Sequence, residues 1–534
     1  MDLLKSSGKK YVLSFLGIFI LFIPFAFSVL PWFEWSDGCE HAAAVRELTY
    51  SLSNPKNPLL DLPGDTSARF VPSIIIMAIF QKIFNAGIFT ILGFSSAVSF
   101  LLLGLGIYLF SKEYFQDEKQ PIYTFLCILF LWGKGWDGAN SFMFSSLVFN
   151  AYYPSIISFI AIFFALTVML RYIRQKRDRY ALAYIALTSF IFLNHPLTGF
   201  LFSIIAFVLF VAEGRAQKRI LGLIAISSLL AVGLTALWPY YSFFKCVLFV
   251  ASGKAKQFWD YNFSHQTLYS ESVIRIGPAF LGIIPVLYFG AMRKHLFIVS
   301  GFFSCSALYA LGYFFDISLA ERCIFFCMFF SQLAFSRFLK NLIHAEGGLQ
   351  SIRRHRFVKA CFIAGLFIGT AAQLFLVSRV YLPQWLEWKP AFRIKTYQHP
   401  LKKYFTLAHH LHRGDIVLTD VFTSWVIPCI TDVKVVSLFH NSPLVSDNSE
   451  RLSDTMSFFT EPYSHQNILK KYRITHILID KEKSSVKRKR SEDSRSFIPY
   501  PDEQLMGQLS RFGKVVLDNE NFFLIEIGSP PETS

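Results

Sequence analysis

The sequence predicts an α-helical polytopic membrane protein of about eleven transmembrane helices (residues 1–380), followed by a soluble α/β domain (residues 381–534). Composition is the first indication, since 53% of the residues are hydrophobic and only 16% are charged, whereas about a quarter of a soluble domain is charged. The second is that apolar residues form blocks long enough to cross a bilayer, up to Val377. The third is the alternation of short polar and apolar segments after residue 380.

The apolar blocks define the predicted spans. The run from Tyr11 to Trp32 is longer than the apolar core of a signal peptide, about 7 to 15 residues, so we interpret it as the first span. The second block is too long for one crossing, and we predict a juxtamembrane or tilted helix at 70–83 and a crossing at 88–109. The full set of predicted spans is 11–32, 70–111, 121–133, 152–172, 180–194, 197–213, 220–238, 273–292, 295–313, 322–338 and 357–379.

The basic residues indicate the orientation of these spans. They gather in short loops, as Lys and Arg do on the cytoplasmic side of membrane proteins, so the net charge of +16 needs no nucleic-acid partner. We therefore predict a cytoplasmic N-terminus, an extracytoplasmic C-terminal domain and a multi-pass location in a cell membrane, with a bacterial inner membrane expected. The basic segments are 112–119, 171–179, 215–219, 293–294 and 337–359, and the loops predicted on the opposite side are 33–69, 134–151, 239–272 and 314–321.

The C-terminal region alternates predicted helices and strands, as expected of a small α/β domain. It also contains a charged insert at 481–495, which we interpret as a solvated loop. Helices are predicted near 398–412, 423–429, 449–459 and 464–472, and strands at 415–419, 434–438, 476–480, 514–518 and 522–527.

The first extracytoplasmic loop, residues 33–69, contains a cluster of ionisable side chains. Asp37, Glu40 and His41 follow the first span closely. Carboxylates near hydrocarbon are costly unless they face a water-filled cavity or a partner, so these residues are candidates for a functional site. The alternative is that the acids lie in headgroup water beside the Trp residues of a membrane-interface belt.

Three more polar residues fall on the same predicted side of the membrane: Lys134, His195 in the turn Asn194-His195-Pro196, and Arg322 after Glu321. Each has an ordinary structural explanation as a turn, an interfacial residue or half of an ion pair. Because all lie on the side of Asp37, we expect one cavity to gather them. Signatures of phosphate loops, serine hydrolases and zinc peptidases are absent from the sequence.

This arrangement resembles the GT-C superfamily, the polytopic glycosyltransferases that use polyprenyl-phosphate-linked sugars. The resemblance covers the whole plan of the chain and rests on Asp37 to His41 followed by Val45 to Leu48, on Tyr153 to Ser155 and on Asn194 to Thr198. The first loop contains no strict Asp-x-Asp or Glu-x-Asp motif. The sequence therefore leaves open whether a divalent metal takes part.

The resemblance implies inverting transfer of a sugar from a polyprenyl-phosphate-linked donor to a glycan, lipid or protein acceptor on the extracytoplasmic side. It implies Asp37, with Glu40 second, as the catalytic base, and Arg322, His195, His41 or Lys134 as groups that bind the donor phosphate. Two other functions stay open: a transporter or flippase of lipid-linked or small polar substrates, and a non-catalytic assembly protein of the envelope. A transporter would be expected to carry ionisable residues near the membrane midplane, whereas here they cluster at one face.

Overall fold

A helical bundle is followed by a five-stranded sheet in the computed structural model of this chain. The structure describes residues 6–27, 37–62, 67–134, 141–213, 217–252, 268–317, 319–344, 356–387, 401–438, 444–481 and 503–528. The predicted charged insert at 481–495 lies outside these ranges apart from its first residue.

The bundle contains long apolar helices joined by short helical segments. Short 3-10 helices, Gly277–Gly282 and Ala320–Arg322, precede α13 and α15. In chain order the helices are α1 (Ser6–Ala26), α2 (Gly38–Tyr50), α3 (Pro72–Phe84), α4 (Ile88–Phe115), α5 (Gln120–Phe130), α6 (Phe144–Asn150), α7 (Pro154–Gln175), α8 (Asp178–Asn194), α9 (Pro196–Glu213), α10 (Lys218–Ala236), α11 (Phe243–Ala251), α12 (Ser272–Ile276), α13 (Ile283–Ala291), α14 (Leu296–Phe314), α15 (Cys323–His344) and α16 (Arg356–Glu387).

The predicted polytopic class is confirmed. Nine helical segments within the described ranges are long and apolar enough to cross a membrane, and each coincides with a predicted span. The other two predicted spans correspond to α5, which has 11 residues, and α8, which has 17. The long second block divides as predicted into α3 and α4, and the break begins at Asn85, whose φ of 47° lies in the left-handed region and ends α3.

Phenylalanine fills much of the bundle interior. Phe22 stacks on Phe100 with ring centroids 4.2 Å apart, and Phe142 stacks on Phe159 at 4.3 Å. Helices in lipid gain little from the hydrophobic effect and associate through close packing. Flat rings that interlock between helices provide that packing, which accounts for the 60 Phe residues of the chain.

The C-terminal region forms the predicted α/β domain. Its sheet has the order β2-β1-β3-β5-β4; β1 runs parallel to β2 and β3, and β5 runs antiparallel to β3 and β4. The strands are β1 (Ile416–Leu418), β2 (Lys434–Val435), β3 (His476–Asp480), β4 (Gly513–Asp518) and β5 (Phe522–Ile527), and the helices are α17 (Thr423–Thr431), α18 (Asn448–Thr460), α19 (Asn467–Lys471) and α20 (Glu503–Leu509).

One predicted element of this domain differs. The helix expected near 398–412 is a 3-10 helix, Lys402–His409. Two successive side chains contact one buried carboxylate, since Lys403 Nζ lies 2.7 Å and Tyr404 Oη 2.5 Å from Asp480. These two contacts anchor the 3-10 helix to β3, the strand that contains Asp480.

The first loop and the C-terminal domain lie at the same end of the bundle, because Leu60 forms a parallel bridge with Val435 of β2. Helix α16 continues through residue 380 to Glu387. The basic segments lie elsewhere and are paired locally: Arg171 and Arg174 contact Glu113 at the end of α4.

Candidate active site

Helix α2 places two acidic side chains around a single arginine. Asp37 precedes the helix and its side chain forms no capping hydrogen bond, while Glu40 lies in the first turn, where negative charge is favoured by the helix dipole. Arg69 donates from Nε to Glu40 Oε2 at 2.5 Å and from Nη1 to Asp37 Oδ2 at 3.2 Å. Arg69 thus holds both carboxylates in fixed positions.

Sequence reasoning missed Arg69. It lies three residues before α3, at the end of a loop that is poor in basic residues for its length. A basic residue in an otherwise acidic loop, directly before an apolar helix, is the signal that could have identified it. Its partners are 29 and 32 residues away in sequence.

His41 is a buried, neutral imidazole. The side chain is 3% exposed, and its ring lies edge-on to Tyr153 with centroids 4.9 Å apart. Burial, and next the positive charge of Arg69, lowers the pKa of His41 to about 3. Its Nδ1 has no hydrogen-bond partner among the described residues. His41 therefore contributes an uncharged polar edge to the site.

His195 is held in the turn between α8 and α9. Asn194 fixes the turn, since it accepts from the backbone N–H of Ser73 at 2.9 Å and donates to the carbonyl oxygen of Pro154 at 2.7 Å. The backbone N–H of Thr198 donates to His195 Nδ1 at 3.3 Å. Because an N–H can only donate, Nδ1 is the acceptor, and the neutral ring carries its hydrogen on Nε2. Burial, and next the charge of Arg322, lowers the pKa of His195 to about 3.

Arg322 has no counter-ion within the described part of the chain. It ends the 3-10 helix that leads into α15, a position where the helix dipole disfavours positive charge. Its guanidinium forms no hydrogen bond or ion pair with any residue in the described parts of the chain. An arginine in this position raises the local positive potential and favours an anion.

These side chains line one cavity with a volume of about 470 Å³, within the range of about 300 to 1,000 Å³ typical of small-molecule sites. The cavity also has an apolar side that includes Phe200, whose side chain is 46% exposed on the outside of the bundle. The polar lining residues are Asp37, His41, Arg69, Asn194, His195 and Arg322, and the apolar ones include Val71, Leu197, Phe200, Phe243, Val247 and Val250.

The structure brings together four of the six predicted site residues, namely Asp37, His41, His195 and Arg322. Glu40 does not line the cavity, but it contacts Arg69, which does. Their chemical roles remain predictions.

Lys134 lies apart from the cavity. Its backbone N–H bonds to the carbonyl oxygen of Ile274, and its side chain pairs with Glu271 at 3.4 Å. The preceding Gly133 packs directly on Gly277, where a Cβ would lie 2.4 Å from the backbone, and Gly277 has a φ of +52°. This backbone contact fixes the segment against α12, so Lys134 does not supply charge to the cavity.

The side chains of the described residues do not form a site for a divalent metal. Within the described ranges, no group of three or more His, Cys, Asp or Glu side chains is arranged to hold a metal ion. The two carboxylates beside the cavity, Asp37 and Glu40, already bind the guanidinium of Arg69. Arg69 therefore occupies the position between them and offsets one of their two negative charges.

No model of a known protein family matches this chain, and no curated protein sequence does. Several solved structures share its fold. ArnT from Cupriavidus metallidurans bound to undecaprenyl phosphate is 12% identical, with a TM-score of 0.57 over 97% of this chain and 98% of that chain. AglB, the archaeal oligosaccharyltransferase of Archaeoglobus fulgidus, in complex with an inhibitory peptide and a dolichol-phosphate is 15% identical, with a TM-score of 0.53 over 90% of this chain and 70% of that chain.

The apo form of the A. fulgidus oligosaccharyltransferase gives a TM-score of 0.52, with 14% identity, 89% of this chain covered and 70% of that chain. These likenesses extend over both the bundle and the C-terminal domain. The chain therefore has a GT-C-like fold, which confirms the resemblance that the sequence indicated.

Proposed function

We propose that this protein is a membrane glycosyltransferase that moves a sugar from a polyprenyl-phosphate-linked donor to an acceptor on the extracytoplasmic side of the membrane. One observation carries the proposal: a single cavity at the loop end of the bundle contains a carboxylate, Asp37, together with an arginine that lacks a counter-ion, Arg322. A base and a free cation are the two groups that transfer from a lipid phosphate requires.

Asp37 is the proposed base. An acceptor hydroxyl is a weak nucleophile, and a carboxylate within hydrogen-bond distance takes its proton as attack begins. The hydroxyl oxygen bonds to the anomeric carbon from the face opposite the phosphate, the bond from that carbon to the phosphate oxygen breaks, and the bonding electrons leave with the polyprenyl phosphate. Arg69 directs the Asp37 carboxylate through Oδ2.

Arg322 and His195 are the proposed phosphate ligands. Arg322 supplies the charge that stabilises the leaving phosphate, and the Nε2–H of His195 supplies a neutral hydrogen bond. Of the cavity-lining cations in the described ranges, Arg69 is balanced by Asp37 and Glu40, so Arg322 alone is uncompensated. A single free positive charge matches the single charge of a sugar phosphodiester better than the larger charge of a diphosphate.

The apolar side of the cavity suits the prenyl chain. Phe200 and Phe243 line the same cavity as Arg322, and Phe244 and Leu248 on α11 are 60% and 67% exposed toward the surroundings of the bundle. The phosphate would therefore bind Arg322 while the first prenyl units lie on Phe200 and Phe243. The rest of the chain would remain in the membrane.

The proposal is tested with purified protein in lipid nanodiscs and a panel of synthetic polyprenyl-phosphate sugars. The measured quantity is free polyprenyl phosphate released when extracts of envelope glycans, lipids and proteins are added as acceptors. We expect release with at least one donor, and release reduced at least about a hundredfold with Asp37→Asn or Arg322→Ala. Release that is unchanged in both variants would contradict the assignment.

A flippase would give a different result in proteoliposomes. It would move the intact lipid-linked sugar between leaflets, so the sugar would become accessible to an added glycosidase without any free polyprenyl phosphate. An assembly protein would give neither signal. Transfer of the sugar with release of the lipid phosphate is the outcome expected here.

A further inference from the structure

Helix α2 is enclosed between the membrane bundle and the C-terminal domain. Its residues Cys39, Ala42, Ala44 and Val45 are fully buried, and it packs on α3 of the bundle on one side and on α17 of the domain on the other. The Arg46 guanidinium also donates to the carbonyl oxygen of Pro428 in α17 at 3.5 Å. The helix that presents Asp37 is thus not positioned by the bundle alone.

Glu47 is the unusual residue of this helix. It lies in the last turn, where the helix dipole disfavours a negative charge, and its side chain is only 3% exposed. A buried carboxylate is stable only when it is paired and hydrogen-bonded. Local helix stability therefore does not explain a glutamate at this position, and its partners must.

The backbone N–H of Lys56 in the first loop donates to Glu47 Oε1 at 3.2 Å, and the C-terminal domain supplies the two partners that carry positive charge. Lys434 Nζ lies 3.0 Å from Glu47 Oε2 and 2.5 Å from the carbonyl oxygen of Asn57. Arg413 approaches Glu47 Oε1 at 3.5 Å and stacks on the ring of Tyr50 with 3.6 Å to its centroid. One acidic side chain of α2 is therefore bound by two cations from the domain.

The same part of the domain holds the loop that follows α2. The backbone N–H of Val435 donates to the carbonyl oxygen of Leu59 at 2.8 Å, which adds the loop to the edge of the sheet beside β2. Asp61 pairs with Arg473. We name the contacts of Glu47, Leu59 and Asp61 with Lys434, Val435 and Arg473 the loop clasp.

We propose that the loop clasp makes the C-terminal domain part of the active site, with Glu47 as a positioning residue that fixes Asp37 through α2. This inference rests on the proposed function. Displacement by even about 1 Å of a catalytic group can reduce a rate about a hundredfold, and α2 connects Glu47 of the clasp to Asp37 at its N-terminus. The domain would thus control turnover without touching the donor.

The test uses the full-length protein with Glu47→Gln, which keeps the size of the side chain and removes its charge, and with Glu47→Asp and Lys434→Met. Amide hydrogen exchange is followed at His41, whose N–H donates to the carbonyl oxygen of Asp37 at 3.0 Å. We expect Glu47→Gln to speed exchange there and to lower kcat about tenfold, with the affinity for undecaprenyl phosphate unchanged. Glu47→Asp should restore part of kcat, and Glu47→Gln combined with Lys434→Met should lose no more than the worse single variant.

Glu450→Gln is the matched control. Glu450 pairs with Lys471 on an exposed face of the same domain, so the same loss of charge there should change neither exchange at His41 nor kcat. Unchanged exchange at His41 in Glu47→Gln, or faster exchange with unchanged kcat, would overturn the positioning role. Absence of any transfer by the wild-type protein would refute the proposed function instead, and exchange at His41 would still decide whether the clasp fixes α2.

Discussion

The two ends of the helical bundle differ in how their charged residues are paired. At the end with the basic segments, Asp117 is 2.8 Å from Arg337 and 2.5 Å from Lys340. At the end with the cavity, Arg69 is paired with Asp37 and Glu40, but the guanidinium of Arg322 has no partner among the residues that the structure describes. Paired charges at the first end stabilise the fold, whereas the uncompensated cation at the second is expected to bind a ligand.

The first consequence concerns the cavity carboxylate. Asp37→Asn keeps a hydrogen-bond acceptor for Arg69 but cannot take a proton, so turnover should fall by about 100- to 10,000-fold. The measurement is release of polyprenyl phosphate under single-turnover conditions. Retention of more than a tenth of wild-type turnover would show that another group is the base.

Replacing Arg322 should reduce turnover almost as much as replacing Asp37. Arg322→Ala should reduce turnover by about 100- to 1,000-fold, the usual cost of losing one preorganised group that stabilises developing charge. Arg322→Lys should recover part of it, because charge is retained and the planar donor geometry is lost. Thermal unfolding should stay close to wild type in both variants, since Arg322 has no partner to lose.

At the end of the bundle with the basic segments, a substitution should reduce stability and leave turnover unchanged. Asp117→Asn leaves the 1% exposed Lys340 and Arg337 without their shared counter-ion, which should cost about 3–5 kcal/mol of stability. Turnover per folded molecule should remain at the wild-type level. A large loss of turnover at full stability would break the distinction between the two ends.

The pH dependence of stability sharpens the comparison. Both His41 and His195 have folded-state pKa values lowered from 6.5 to about 3, so between these values the unfolded chain binds more protons than the folded one. Stability should therefore fall as the pH is lowered from about 6.5 towards 3, and His195→Asn should flatten this slope. A thermal midpoint that rises on acidification in this window would contradict the neutral state of these rings.

Replacing Lys134 should have the smallest effect on turnover and stability. Its pairing with Glu271 is exposed, and exposed ion pairs contribute little to stability because water and salt screen them. Lys134→Ala should change neither turnover nor the thermal midpoint measurably. A clear loss of turnover would mean that the residue reaches the donor, contrary to its position.

Much of the fold was available from the sequence because it depends on local patterns. Apolar length predicted the spans and the division of the second block into α3 and α4, and alternating segments predicted the strands of the C-terminal domain. These patterns can be recognised without knowing which helices and strands pack against each other. The shortest predicted span ends at Phe130 because the chain after it is bound to α12.

The site could be predicted only in part. Asp37, His195 and Arg322 could be identified from the sequence as polar residues at one predicted face of the membrane. The roles of Arg69 and Glu47 depend on partners that are distant in sequence. Glu47 and Lys434 are 387 residues apart in sequence. Nothing local distinguishes Glu47 from a surface glutamate, so its burial between two cations appears only in the folded chain.

Binding of undecaprenyl phosphate to the purified protein in nanodiscs, followed by native mass spectrometry, tests the central claim most directly, since it needs neither the donor sugar nor the acceptor. We predict saturable binding by the wild type, binding weakened at least about tenfold by Arg322→Ala, the equivalent of about 1.4 kcal/mol, and wild-type affinity in Asp37→Asn and Lys134→Ala. Equal affinity in the wild type and Arg322→Ala would show that the uncompensated arginine does not bind the lipid phosphate.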